Sequence, residues 1–189
     1  MKVFLSWSGH KSHEIAIVLK NWIPSVIQSI TPYVSSEDID KGVRWSSDIA
    51  KELQDSSFGI LCVTKDNFEE PWLLFEAGAL SKALDKAHVC PLLLDLKMTD
   101  TNGPLLQFQS TICEKDDVKK LIFTLNKCSE NGLQNDRLEE SFEVWWPRLE
   151  KELLRVYKIN DVDNTPIKKS TKDEKLEEIL ELTRANQKA

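Results

Sequence analysis

The chain has 189 residues, with 31 acidic against 25 basic side chains and a formal net charge of -6. That length suits one domain of about 100–150 residues plus an extension, rather than two full domains. Its six glycines are scattered singly, so neither GxGxxG nor GxxxxGK[ST] can be written, which excludes glycine-turn dehydrogenases and P-loop NTPases. The acidic balance likewise argues against a nucleic-acid binder working through a basic surface.

Residues 3–5 (VFL) read as a short buried strand, bounded by the polar run 6–9. Ser12 is a plausible N-cap for a helix carrying Ile15, Val18, Leu19, Trp22 and Ile23 on one face, which Pro24 should kink or end. Tyr33 and Val34 form a second brief strand, followed by a polar loop over 35–44. Helical spacing returns through Trp45, Ile49 and Leu53. Residues 58–63 (FGILCV) give the strongest strand signal, a continuous apolar run suited to a parallel sheet buried on both faces. Pro71 suits the first turn of a helix extending to about residue 87. Residues 89–94 are another apolar strand, 108–113 a weak fifth strand, and 118–125 helical. Five short strands alternating with helices indicate an α/β sheet with crossover connections. Ligands in such sheets bind outside the carboxyl ends of the strands, which directs attention to the loops after Leu5, Val34 and Val63.

Beyond Asp136 the pattern changes. Leu138, Phe142, Trp145, Trp146, Leu149, Leu153 and Val156 trace one face of a long helix, with Pro147 a candidate kink. Residues 160–170 lack periodicity and read as a linker. Leu176, Ile179, Leu180 and Thr183 then place a short amphipathic helix over 172–186, read either as an element that mediates oligomerisation or docks a partner protein, or as a solvated tail. Cys62, Cys90, Cys113 and Cys128 form no CxxC pair, and His10, His13 and His88 do not complete a zinc set, so no metal is expected. The start of the chain turns polar too soon for a signal peptide, and no apolar run approaches 18 residues. A cytoplasmic protein with no membrane and no nucleic-acid partner is the expectation. His10 and His13 read as solvated loop residues, and the Asp116–Asp117 and Glu177–Glu178 pairs as solvated helix faces.

The sharpest chemical feature is Trp72-Leu-Leu-Phe-Glu76, where a spacing of four places the indole and the carboxylate on one helix face. Glu76 is a lone carboxylate among apolar and small neighbours, so it either points into a cleft or lies on the helix surface. Glycosidases of neutral sugars generally use two carboxylates, because an acid must protonate the leaving oxygen. Nicotinamide leaving NAD+ needs no proton, since cleavage neutralises its pyridinium. One carboxylate beside an oxocarbenium-like sugar, with an aromatic ring stacking a base, would suffice. Trp7, Trp45 and Trp72 all fall at strand ends or helix starts on one rim, whereas Trp22 belongs to a core stripe. Of the adjacent Trp145 and Trp146, one is expected to pack on the domain and the other to meet a partner.

The runs KVFLSWSG, SEDIDKGVRWSSDIAKEL, FGILCVTKDNF and PWLLFEAGAL occur in the order of a TIR (Toll/interleukin-1 receptor) domain. The chain resembles that family over roughly residues 1–125, most closely its bacterial NAD-consuming branch. The resemblance implies a flavodoxin-like fold, a five-stranded parallel sheet with helices on both faces, followed here by a C-terminal helical extension. Together with the periodicity of the later segments, this divides the chain into a TIR domain over 1–130, a helix packed on or beside it over 131–159, and a linker with short helix over 160–189. The resemblance implies an NAD+ glycohydrolase or ADP-ribosyl cyclase serving antiphage defence, with NAD+ as substrate and no cofactor. Glu76 would be catalytic, and Ser6, Trp7, Ser8, Arg44, Trp45 and Trp72 would line the substrate site. Asp40, Lys41, Gly42, Val43, Arg44 and Trp45 match the BB loop, through which the family self-associates. Arg44, Lys11 or the amides of the helix near Ser12 would hold the diphosphate. The rival reading is a non-catalytic TIR interaction module using the same loops; a nucleoside deoxyribosyltransferase is a third.

Overall fold

The computed structural model describes residues 1–34, 55–69, 88–97, 99 and 103–159. The elements expected over 35–53, 71–87 and 160–186 lie outside the described residues. Strand β1 (Lys2–Ser6) leads into helix α1 (His10–Val26), and the chain returns through β2 (Thr31–Val34). There follow β3 (Phe58–Val63), β4 (His88–Leu93), a short 3-10 turn (Gly103–Gln107) and β5 (Thr111–Ile112). Helices α2 (Lys115–Cys128) and α3 (Asn135–Tyr157) close the described chain. The five strands form one all-parallel sheet of order β2-β1-β3-β4-β5, the flavodoxin-like arrangement expected from the sequence.

Alternation along the strands sorts the core into two faces. Val3, Leu5, Phe58, Ile60, Cys62 and Leu92 share a single apolar cluster with α1, α2 and α3, so the described helices cover one face. Phe4, Leu61, Val63 and Leu93 point the other way and are equally buried. Every residue of β3 is buried, which is why its sequence is apolar throughout rather than alternating.

Strand β5 is shorter than the 108–113 run suggested, and Pro91 supplies a reason. The Leu94 amide donates to Val63 O on the β3 side, while Leu93 O accepts from Cys113 N on the β5 side. Alternation therefore turns the Pro91 nitrogen toward β5, where it has no N–H to offer, and pairing begins only at Leu92↔Thr111.

Helix α3 lies along α1. Phe142 stacks on Trp146 at 5.5 Å and meets Trp22 edge-on at 6.0 Å. The Trp22 indole N–H donates to Trp145 O at 2.8 Å, Ser141 Oγ to Val26 O at 3.0 Å, and Arg155 pairs with Glu14 at 3.0 Å. Trp22 and Trp146 are thus core residues, while Trp145 is half-buried beneath the Arg148 guanidinium. Pro24 sits in the last part of α1, which ends at Val26, whereas α3 runs continuously through Pro147. The turn between α2 and α3 requires Gly132: a Cβ there would lie 2.5 Å from Asn126 O. That close approach lets the Asn126 amide bond both the N–H and the C=O of Leu133.

Candidate active site at the carboxyl edge of the sheet

In this strand order the connections from β1 and β3 leave in opposite directions, so the switch point, where sheets of this kind generally bind their ligands, falls between their carboxyl ends. Ser6 ends β1 and is fully buried on the face of Phe4 and Leu61. Trp7 is half-buried, packs against the apolar cluster, and lies 4.2 Å from the His13 ring between centroids. Its buried indole nitrogen has no hydrogen-bond partner among the described residues, and neither does His10 Nδ1. Gly9 follows with φ +89° and ψ 161°, a combination open essentially to glycine, with open space where a Cβ would stand. Helix α1 then begins with no side-chain cap and no acidic residue in its first turn. Helix starts of that kind favour an anion through the dipole and the terminal amides.

Behind this loop lies a closed ring of hydrogen bonds. The Ser8 amide donates to Ser12 Oγ at 3.2 Å, and the Ser12 hydroxyl donates to Cys62 O at 2.7 Å. Asn67 Nδ2 donates to Cys62 O at 3.0 Å and to Ser8 O at 2.9 Å, completing the circuit. Asn67 Oδ1 also accepts the Thr64 amide at 2.7 Å, closing the turn after β3. Beside the ring, the Lys11 ammonium pairs with Asp95 at 2.9 Å, both side chains being about one-tenth exposed. The other Asp95 oxygen accepts the Lys65 amide at 2.8 Å, tying the end of β4 to the turn after β3. The Tyr157 ring of α3 lies 5.5 Å from the same ammonium.

Four sequence assignments change here. Ser12 is not an N-cap: α1 starts earlier, at His10, and the Ser12 hydroxyl is spent on Cys62 O. His10 and His13 are not loop residues but occupy the first turn of α1, half-buried, with His13 against Trp7. Asp117 is not simply solvated, because its carboxylate accepts the Ile112 amide at 2.9 Å and pairs with Lys120 at 3.2 Å. Lys11 is committed to Asp95 rather than projecting into the crevice.

Of the expected site residues, Ser6, Trp7 and Ser8 come together at the end of β1. Glu76, Trp72, Arg44 and Trp45 lie outside the described residues, as do Asp40, Lys41, Gly42 and Val43. Asn67 and Asp95 were missed, although each stands just beyond an apolar strand run at the carboxyl edge, which was a usable signal. Among the described residues no group of three or more His, Cys, Asp or Glu side chains could hold a metal ion. No helix among them is long and apolar enough to cross a membrane. Burial pushes the Cys62 thiol far up; it pushes Cys90 up as well, partly offset by a hydrogen bond with Thr111. Neither is a ready thiolate nucleophile.

Comparison with known proteins bears on this arrangement. None of the curated proteins matches the chain. A solved assembly described as the activated Roq1 resistosome directly recognizing the pathogen effector XopQ (TIR domains) aligns over 97% of this chain and 98% of that one. The two are 17% identical with a TM-score of 0.41, which carries no weight on its own. The model of the TIR domain family matches residues 3–122, nearly the whole sheet and its first crossovers. The chain belongs to the TIR domain family.

Proposed function

We propose that the chain is an NAD+ glycohydrolase of the bacterial TIR type, cleaving the nicotinamide–ribose bond in the crevice between β1 and β3 and acting in antiphage defence. The observation that best supports this is Trp7, half-buried at the end of β1 with an indole N–H that has no partner among the described residues, in a chain whose TIR match runs over residues 3–122. Glu76 follows in the chain from the turn that Asn67 closes, on the segment expected to wall the same crevice.

In this reading the C1′–N1 bond breaks heterolytically. Its electron pair passes to the pyridinium nitrogen, and neutral nicotinamide departs. The Glu76 carboxylate opposes the positive charge that develops on the ribose. Water adds to C1′ and releases a proton, giving ADP-ribose; a hydroxyl or adenine nitrogen of the same nucleotide adding instead gives a cyclic product. The uncapped start of α1, with Gly9 leaving room above it, is the place for the diphosphate. Lys11 contributes there through the loop it anchors rather than through its charge. NAD+ is consumed as substrate, with no cofactor and no metal, and self-association through the 40–45 loop would complete the active form.

The test is to incubate the concentrated full-length chain with NAD+ under crowding and identify products by mass spectrometry. Nicotinamide together with ADP-ribose or its cyclic isomer is expected, and Glu76→Ala should abolish both. Absence of turnover by any assembled form would leave the interaction module as the better reading. Base exchange on deoxynucleosides without NAD+ would favour a deoxyribosyltransferase.

A further inference from the structure

We propose that Asn67 and Ser12 are positioning residues that set the Trp7–Ser8 loop against the crevice, making this hydrogen-bonded ring a determinant of substrate affinity. The proposal rests on the NAD+ reading above and names what holds its binding loop in register.

The argument begins with a backbone carbonyl. The β1–β3 ladder ends at Ser6↔Leu61, and Val63 O is turned toward β4, where it accepts from Leu94. Alternation turns Cys62 O toward β1, at the point where β1 has already left the sheet. A buried carbonyl there must find a donor from elsewhere. It finds two, Ser12 Oγ and Asn67 Nδ2, and each of these is also bonded to Ser8. Ser12 takes the Ser8 N–H and Asn67 takes the Ser8 C=O, so both backbone groups of one residue are fixed from opposite walls of the crevice. The Ser8 N–H belongs to the same planar peptide as the Trp7 carbonyl, so pinning it pins the chain at Trp7.

Both side chains are almost completely buried, with Asn67 2% and Ser12 1% exposed, so water cannot replace a lost partner cheaply. The Asn67 amide is fully used: both Nδ2 hydrogens are donated and Oδ1 accepts from Thr64. An aspartate at this position keeps the shape and the Thr64 contact. It turns an oxygen toward the Ser8 and Cys62 carbonyls, so the loop is pushed away from β3 while the apolar cluster is untouched.

The experiment compares full-length wild type, Asn67→Asp and Ser12→Ala, with Glu76→Gln as the chemical reference. Steady-state NAD+ cleavage is read alongside the 19F NMR spectrum of 5-fluorotryptophan-labelled protein, with Trp7 assigned through Trp7→Phe. Asn67→Asp should raise KM on the order of tenfold with a much smaller change in kcat. The Trp7 resonance should move while those of Trp22 and Trp146 stay in place. Ser12→Ala should show the same pattern more weakly, and it decides the matter if Asn67→Asp fails to fold. An unchanged KM with an unmoved Trp7 resonance would overturn the proposal, as would equal displacement of Trp22 and Trp146, which would mean general loosening. If wild type does not cleave NAD+ at all, the functional reading falls, and the Trp7 resonance alone decides whether the ring positions the loop.

Discussion

The two halves of α1 are buried in opposite ways. At its amino end Lys11 and Ser12 are buried as polar groups, each tied to the carboxyl edge of the sheet through Asp95 and Cys62 O. At its carboxyl end Trp22, Ile23 and Val26 are buried as apolar groups in the cluster that includes Phe142 and Trp146 of α3. Apolar burial is non-directional and stabilises in proportion to area. Hydrogen bonds in a dry site contribute little net stability but fix geometry, and they are costly to leave half-made. One half of the helix therefore holds the fold together, and the other holds a loop in place.

The largest expected effect breaks the apolar half. Phe142→Ala should destabilise the protein by about 4 kcal/mol, because it empties a fully buried ring contacting both Trp22 and Trp146. The denaturant midpoint measures this, and the KM for NAD+ of the remaining folded protein should not move. Next comes the polar half. Asp95→Asn removes the charge opposite a nearly buried ammonium and should cost about 3 kcal/mol. Lys11→Met combined with Asp95→Asn should recover part of that loss, whereas simple additivity would remove the pair from the account.

A smaller effect carries a definite sign. The Cys62 thiol is held well above its ordinary value of 9.0 by burial, so folding favours its protonated form. Its contribution is complete below pH 9 and is lost as pH rises from there toward the folded-state value, at about 1.4 kcal/mol per pH unit. Denaturation series on wild type and Cys62→Ala should run parallel near pH 8 and diverge toward that difference in slope between pH 9 and roughly 10.5; curves that stay parallel throughout would show the thiol is not so held. The smallest effect belongs to the α2–α3 surface, where Lys119 bridges Glu139 and Glu143 in water. Lys119→Ala should leave the Tm unmoved, since exposed ion pairs contribute little.

Much of the scaffold was legible because it is apolar. The FGILCV run is β3 from end to end, since continuous burial on both faces writes itself as continuous hydrophobicity with polar residues at each boundary. The long stripe from Leu138 to Val156 likewise became α3. Misreadings cluster where one polar side chain answers a distant backbone group. Ser12 carries the local signature of a cap, but its partner is Cys62 O, across the sheet in sequence terms. Nothing near Asn67 in the chain says that its amide reaches Ser8. His13 looks solvated until Trp7 is placed beside it. The length of β5 depended on which way the Pro91 nitrogen faces, and register alone settles that. Ser6, Trp7 and Ser8 were legible as site candidates because strand-end position is a matter of order along the chain, whereas the ring that holds them is a matter of three-dimensional closure.

The central claim is that a single carboxylate at this crevice cleaves NAD+. The most direct measurement is the rate of nicotinamide release from NAD+ by concentrated full-length protein, wild type against Glu76→Gln. Substrate titrations and a 19F signal from Trp7 should show that both proteins still engage the dinucleotide. Turnover by wild type with loss of two or more orders of magnitude in Glu76→Gln, at retained binding, is the predicted result. Undiminished cleavage by Glu76→Gln, or binding without cleavage by every assembled form of the wild type, would contradict it.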